Sequence, residues 1–181
     1  FDQLDQSNPN KHQSISVNCD PGVLDHFVMN IPNLGVPKEA GVPFQVTILA
    51  KDQFNNTIPA YNKSVNLRNI VTIPDVTISP ISIALNGGIA DFPLTVYAAG
   101  DNVRIEMSEG GVQSLSPAFT VLPYPAGFEK LILLLDGETL APGTATGKKG
   151  GPIPKIAGQN MTASAYATDR FFNPLIDISG T

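Results

Sequence analysis

Residues 40–56 of this 181-residue chain read AGVPFQVTILAKDQFNN, and residues 157–173 read AGQNMTASAYATDRFFN. Both stretches have an Ala-Gly opening, an alternating run, an Ala-x-Asp close and a Phe/Asn turn, all at the same spacing. A self-match at a domain-sized period is the sequence signature of a tandem array. The chain is therefore predicted to carry two copies of one structural unit.

A second match, upstream of each copy, shows how the copies align. Residues 15–28 resemble residues 119–132, a shift of 104 positions (119 minus 15), whereas the two quoted stretches are shifted by 117 (157 minus 40). The second copy must therefore contain an insertion of 13 residues, which falls within residues 136–156. This stretch is rich in Gly, Pro, Thr and Lys, a loop composition, and residues 147–151 are predicted to be a flexible hairpin loop.

The alignment divides the chain into three parts. Residues 1–18 resemble the last strand of a preceding unit, or a strand donated to another subunit. Residues 19–122, the first unit, are predicted to form a complete sandwich. Residues 123–181, the second unit, reach only about halfway through the pattern of the first. Half a sandwich cannot close its core, so we expect further chain or another molecule to complete the second unit.

Alternation of apolar and polar residues predicts β-strands, and no stretch has convincing helical periodicity. The predicted inward residues are Phe44, Val46, Ile48 and Ala50 in the first copy, and Met161, Ala163, Ala165 and Ala167 in the second. Residues 86–88 read Asn-Gly-Gly between alternating runs, which predicts a tight hairpin. About seven or eight strands in roughly a hundred residues predict an all-β fold of tandem immunoglobulin-like antiparallel β-sandwich domains.

Composition excludes several classes of function. The net charge of −5 disfavours nucleic acid, whose phosphates require clustered Lys and Arg. No apolar run approaches the ~20 residues that span a membrane. Cys19 is the single cysteine, so no disulfide can form within the chain, and its role stays open. The sequence has no Gly-x-Ser-x-Gly motif, and neither His12 nor His26 has a partner at metal-ligand spacing, so no enzyme is predicted.

The repeated residues resemble those of bacterial Ig-like repeats of the invasin/intimin type (Big-like) found in surface and secreted proteins. The shared phrase is Ala-Gly-x-Pro-Phe-x-Val-x-Ile-x-Ala-x-Asp at residues 40–52, followed by Asn56, Tyr61 and a strand at 64–67. The resemblance implies a non-catalytic structural protein outside the cell, such as an adhesin, stalk, surface-layer or filament component. It implies neighbouring repeats or identical subunits as partners, with a surface glycan or a host protein as a further partner, and no cofactor.

Two aspartates occupy the same place in the two copies. Asp52 and Asp169 each end a predicted strand, and Asn56 and Asn173 follow four residues later. Short Asp and Asn side chains bond to turn backbone, so a turn-stabilising role is the simpler interpretation. The alternative is calcium at the junction of the units, where carboxylates and carbonyls converge. The calcium candidates are Asp25, Asp52, Asp101 and Asp169.

Assembly through strand exchange is a further prediction. Exposed sheet edges can be paired by a strand from the next subunit, which gives a head-to-tail filament. Ile15 and Val17 are the candidate residues of the donor strand, and Tyr124, Phe171 and Phe172 are candidate contact residues. The second interpretation of function is a carbohydrate- or calcium-binding accessory module of a secreted protein.

Overall fold

The computed structural model describes residues 20–70 and 78–175. Within these ranges all regular structure is β-strand, as the alternation predicted, and none of it forms a helix long and apolar enough to cross a membrane. Segment 1–18 with the predicted donor residues Ile15 and Val17, together with Cys19, lies outside the described residues.

Eleven strands are described in the first unit and four in the second. The first unit contains β1 (His26–Asn30), β2 (Lys38–Glu39), β3 (Phe44–Lys51), β4 (Ser64–Asn69), β5 (Ile78–Ser79), β6 (Ser82–Ala84), β7 (Ile89–Val96), β8 (Gly100–Val103), β9 (Ile105–Glu109), β10 (Val112–Leu115) and β11 (Phe119–Leu122). The second contains β12 (Lys130–Leu135), β13 (Glu138–Leu140), β14 (Lys148–Gly150) and β15 (Ala163–Thr168).

The first unit has a β-sandwich-like arrangement. One sheet has the strand order β1-β3-β7-β5 and the second has the order β10-β9-β4-β6, with antiparallel neighbours in both. A third sheet, β2-β11-β8, contains one parallel pair, β2 with β11. Inward residues of the two main sheets, including Val46 and Ile48 on β3 and Ile105 and Met107 on β9, share one core. Each such buried side chain contributes roughly 1.5–3 kcal/mol of stabilisation.

The predicted alternation is confirmed on β3, where Val46, Ile48 and Ala50 are buried, Phe44 is half-buried and Gln45 is exposed. The Asn-Gly-Gly sequence forms a tight turn, and its two glycines have the positive φ that such a turn requires. The predicted hairpin was wrong beyond the single Asn86–Ile89 bridge, because β6 pairs with β4 in one sheet and β7 pairs with β3 and β5 in the other.

The second unit pairs two of its strands in the register of the first. In the first unit His26 on β1 lies opposite Lys51 on β3, and in the second Lys130 on β12 lies opposite Thr168 on β15. These are corresponding positions under the shifts of 104 and 117, so the insertion leaves the register unchanged. The insertion itself folds into the β13–β14 hairpin, in which Glu138 Oε2 accepts from Lys148 Nζ at 3.1 Å. The hairpin expected here is present, but residues 148–150 form one of its strands rather than its loop.

The prediction of an inward face in the second unit was also wrong for this chain. Of the residues predicted to face inward, Met161, Ala163 and Ala165 are exposed and Ala167 is half-buried. Leu131 and Leu133, which lie opposite Ala167 and Ala165, are 70% and 50% exposed. Their counterparts Phe27 and Met29 in the first unit are buried beneath the second sheet. The described residues place no such sheet over this face of the second unit. Ile132 and Leu134, on the opposite face of β12, are buried instead.

Candidate functional site

The loop after β3 is organised by one carboxylate. Asp52 Oδ1 accepts from the backbone N–H groups of Phe54 and Asn56, both at 2.9 Å. Its Oδ2 accepts from the N–H of Gly22 at 2.9 Å and from Nδ2 of Asn56 at 3.1 Å. The Gly22 N–H, assisted by the Asn56 and Phe54 donors, lowers the pKa of Asp52 to about 2. The charged carboxylate therefore holds the loop in one conformation.

The loop after β15 has the same hydrogen bonds. Asp169 Oδ1 accepts from the N–H groups of Phe171 at 2.8 Å and Asn173 at 2.9 Å. Its Oδ2 accepts from Nδ2 of Asn173 at 2.8 Å and from the N–H of Tyr124 at 2.6 Å. In each case one of the donors lies outside the loop: the N–H of Gly22 for Asp52 and the N–H of Tyr124 for Asp169. Both donors belong to the segment that leads into the first strand of their unit. The carboxylate thus ties the entry of each unit to the loop.

The calcium candidates do not converge. Among the described residues no group of three His, Cys, Asp or Glu side chains is placed to hold a metal ion. Asp25 precedes β1 and its Oδ2 lies 2.9 Å from His26 Nδ1, while Asp101 on β8 accepts from the Thr120 hydroxyl at 3.3 Å. Asp52 and Asp169 have both carboxylate oxygens engaged by N–H donors, so the geometry matches the turn-stabilising interpretation of these two residues.

The two loops differ in their surroundings. Asn56 is exposed, whereas Asn173 is completely buried against the first unit. Asn173 Oδ1 accepts from the backbone N–H of Ala99 at 2.7 Å, and Nδ2 donates to the carbonyl of Tyr97 at 3.0 Å. Because Nδ2 also donates to Asp169, one amide side chain joins the loop of the second unit to the end of β7 in the first.

Aromatic rings complete this contact. The ring of Phe171 lies 5.2 Å from that of Tyr97 and 5.6 Å from that of Tyr124, the latter edge-on. Phe171 also covers Gly41, where a Cβ would overlap its ring. We call the contact of Gly41 and residues 97–99 with Tyr124, Phe171 and Asn173 the junction. Of the predicted assembly residues, Tyr124 and Phe171 are thus brought together inside this chain.

The insertion of the second unit also contributes to the junction. The N–H of Gly143 donates to the carbonyl of Phe171 at 2.7 Å. Gly143 approaches the first unit so closely that a Cβ there would lie 2.8 Å from the backbone N of Ala98. Sequence reasoning missed Gly41, Gly143 and residues 97–99 as contact residues. The one signal in the sequence for these residues was the glycine that opens each repeated stretch, Gly41 in the first copy.

Phe172 has a different role. Its φ of +63° matches the +65° of Asn55 at the corresponding position, although a left-handed conformation costs a side-chain-bearing residue about 1–2 kcal/mol. The ring lies under Lys130 Nζ, 4.0 Å from the ring centre, and packs on Gly147. In the first unit the corresponding pair is His26 and Asn55, whose side chains are 3.0 Å apart. Phe172 therefore packs within its own unit.

A groove of about 420 Å³ lies beside the β12–β15 pair. Its polar lining residues are Asp136, Glu138, Thr139, Thr162, Ser164 and Tyr166. Lys155 lies 2.7 Å from Asp136 and lowers the pKa of that carboxyl, while the Leu135 N–H and Lys148 lower that of Glu138. Both carboxylates are therefore already paired.

No protein-family model matches this sequence, and no curated protein or solved structure is significantly similar to it.

Proposed function

We propose that this chain is a non-catalytic structural segment of a secreted or cell-surface protein, in which consecutive Ig-like units are held at a fixed angle. Adhesins, stalks, surface layers and extracellular filaments use such segments as spacers. The observation that carries the proposal is the buried side chain of Asn173, which bonds Tyr97 and Ala99 of the first unit and Asp169 of the second. The low charge and single cysteine are compatible with an exported protein.

Two units joined only by a flexible linker would not bury the amide side chain of Asn173 between them. Leaving the buried amide of Asn173 without its partners costs about 1–3 kcal/mol, so movement of one unit against the other is resisted. The small residues Gly41, Ala98 and Gly143 let the two backbones approach closely, and Phe171 fills the space between Tyr97 and Tyr124. Hydrogen bonds from Asn173 fix the direction of the contact, and the three half-buried rings pack against one another beside it.

Backbone ¹⁵N relaxation of the full chain tests this function. In the wild type we expect one rotational correlation time to describe residues 26–122 and residues 130–168. In Asn173→Ala the two ranges are expected to have different correlation times, because the bonds to Tyr97 and Ala99 are lost. The matched control is Asn56→Ala, at the corresponding exposed position, which is expected to leave one value. Two independent correlation times in the wild type would refute the proposal.

The uncovered face of the second unit supports assembly as part of this function. Leu131 and Leu133 are exposed where the first unit buries Phe27 and Met29 under the sheet that contains β4 and β9. We propose that a further β-sheet with an apolar inner face covers these residues, and that an identical subunit supplies it by strand exchange. Sedimentation is expected to show association of the chain. A monomer with a fully ordered second unit at all concentrations would contradict this.

The groove beside β12 favours a carbohydrate-binding module as the second candidate. Hydroxyl groups of Thr162 and Ser164 and the ring of Tyr166 line it, a set suited to a sugar. Binding on a glycan array that is lost in Tyr166→Ala would support this candidate. The related calcium-binding candidate predicts a calcium-dependent rise in melting temperature. If the chain binds no glycan and calcium does not raise its melting temperature, this second candidate is rejected and the structural function is retained.

A further inference from the structure

The first unit presents, on its own surface, the loop that the second unit uses in the junction. Phe54 and Asn56 occupy the positions of Phe171 and Asn173 under the shift of 117 residues. Phe54 is 72% exposed and Asn56 is exposed, whereas Asn173 is fully buried against residues 97–99. The same side chains are thus seen once with a partner and once in solvent.

The local geometry of the exposed loop is already that of the docked one. In both loops the aspartate accepts from the N–H groups two and four residues later and from the amide side chain of the asparagine. The residue before the asparagine is left-handed in both, Asn55 at φ +65° and Phe172 at φ +63°. Because the loop is held in this form without a partner, little conformational entropy is lost when a partner binds.

The hydrogen-bonding capacity of Asn56 is only partly used. Its Nδ2 donates to Asp52, as Nδ2 of Asn173 donates to Asp169. Asn173 has two further bonds, from the N–H of Ala99 and to the carbonyl of Tyr97. Within the described parts of the chain Asn56 has no counterpart to these two bonds.

We propose that the Phe54–Asn56 loop binds another unit of the same kind through the segment that corresponds to residues 97–99. Asn56 receives one backbone N–H and donates to one backbone carbonyl of that segment. Phe54 lies against its tyrosine and over a glycine in the position of Gly41. This inference rests on the proposed structural function and names its partner: a β-sandwich unit with a Tyr-Ala-Ala segment at the end of the strand corresponding to β7.

The contact is head to tail. The loop after the third strand of one unit meets the end of the seventh strand of the unit before it, so two different surfaces are joined and the contact repeats without closing. Residues 97–99 of this chain are occupied by Asn173. The partner must therefore be a unit whose segment is open, and intact copies of this chain do not bind one another in this way.

A titration of full-length chains tests the inference. The double variant Phe171→Ala/Asn173→Ala removes the two side chains that contact residues 97–99. This variant, the opened chain, is added in unlabelled form to the ¹⁵N-labelled wild-type chain. We expect progressive shifts of the backbone signals of Phe54 and Asn56 and of the Asn56 side-chain signal. The matched control is unlabelled wild-type chain, whose segment is occupied and which is expected to shift none of them. The exposed side chain of Asn62 provides an unaffected signal in the same spectrum.

A second ¹⁵N-labelled chain, which lacks the Phe54 and Asn56 side chains, tests whether binding occurs at this loop. Phe54→Ala/Asn56→Ala alters only exposed side chains and is expected to keep a dispersed spectrum while losing the response to the opened chain. If the double variant does not fold, Asn173→Ala alone serves as the probe. Absence of shifts at Phe54 and Asn56 with a folded, opened chain, or equal shifts with wild-type chain, would overturn the inference.

The two experiments distinguish failure of the binding proposed for the Phe54–Asn56 loop from failure of the proposed structural function. If Asn173→Ala separates the tumbling of the two units but the opened chain shifts nothing at Phe54, the rigid junction stands and only its repetition at Phe54 is refuted. If Asn173→Ala leaves the tumbling unchanged, the proposed function itself is refuted, whatever the titration shows.

Discussion

The side chain of Asn173 donates to the carbonyl of Tyr97 across 76 residues of sequence, in a bond of 3.0 Å. Its counterpart Asn56 has the same bond to its own aspartate but lies in solvent. The chain therefore contains the same residue in the same loop with and without a neighbouring unit. Comparison of the same substitution at Asn56 and at Asn173 therefore distinguishes the contribution of the loop to stability from that of the junction.

Asn173→Ala is expected to cost more stability than Asn56→Ala. Removal of Asn173 leaves the Ala99 N–H and the Tyr97 carbonyl without their partner in a buried contact, a loss of about 1–3 kcal/mol. Asn56→Ala removes one partly buried bond to Asp52, whose carboxylate keeps its three backbone donors, and is expected to cost about 1 kcal/mol. Urea denaturation of the full chain measures both, and equal losses would show that the junction adds nothing.

Gly41→Ala is expected to disturb the junction sterically. The new Cβ would overlap the ring of Phe171, in addition to the strain of a side chain at φ +74°. Gly110→Ala is the matched control, because Gly110 has a φ of +58° and nothing within 4 Å of its Cβ position. Both variants incur about 1–2 kcal/mol of backbone strain, and only Gly41→Ala is expected to lose more.

The excess loss in Gly41→Ala should depend on Phe171. When Phe171→Ala is combined with it, the overlap disappears, so the two substitutions are expected to be non-additive by about 0.5–3 kcal/mol in thermal or urea unfolding. Additive losses, or equal losses for Gly41→Ala and Gly110→Ala, would contradict the close packing at this position.

Asp52 is expected to contribute to the acid sensitivity of the fold. Its pKa is about 2 in the folded chain against a usual value of 3.8. Because the folded value is the lower one, the stabilisation is present above about pH 4 and is lost as the pH falls from 3.8 towards 2. The difference in unfolding free energy between wild type and Asp52→Asn should therefore shrink over this range. A difference that stays constant between pH 6 and pH 2 would refute it.

The exposed face of the second unit should govern association. Leu131→Ser with Leu133→Ser is expected to change the unfolding free energy by less than about 1 kcal/mol, because both side chains are exposed, and to reduce self-association in sedimentation. Ile132→Ser, on the buried face of the same strand, is the contrasting control and is expected to cost about 2–4 kcal/mol. Unchanged association in the double leucine variant would contradict the proposed covering sheet.

Much of the fold follows from local patterns in the sequence. Alternation located β3 and the inward side of Val46 and Ile48, and Asn-Gly-Gly located the turn before β7. The spacing of Asp52 and Asn56 indicated their turn. In each case the determinants are neighbours in sequence, so period and turn chemistry are sufficient.

The junction could not be predicted in the same way. Asn173 is defined by its bonds to Tyr97 and Ala99, and those residues carry no pattern that distinguishes them from any other loop. Alternation also identifies two faces of a strand without saying which is covered, and this is why Ala163, Ala165 and Ala167 were expected inside. The two-residue strand β2 is too short for any periodicity. These features depend on tertiary contacts between distant segments.

Asn173 is proposed to lock the two units at one angle. Residual dipolar couplings of the weakly aligned full chain measure that angle directly. One alignment tensor is expected to fit the couplings of residues 26–122 and 130–168 in the wild type and in Asn56→Ala. The couplings of Asn173→Ala are expected to require two tensors of different magnitude, because the lock is removed. Two different tensors in the wild type, or one shared tensor in Asn173→Ala, would contradict it.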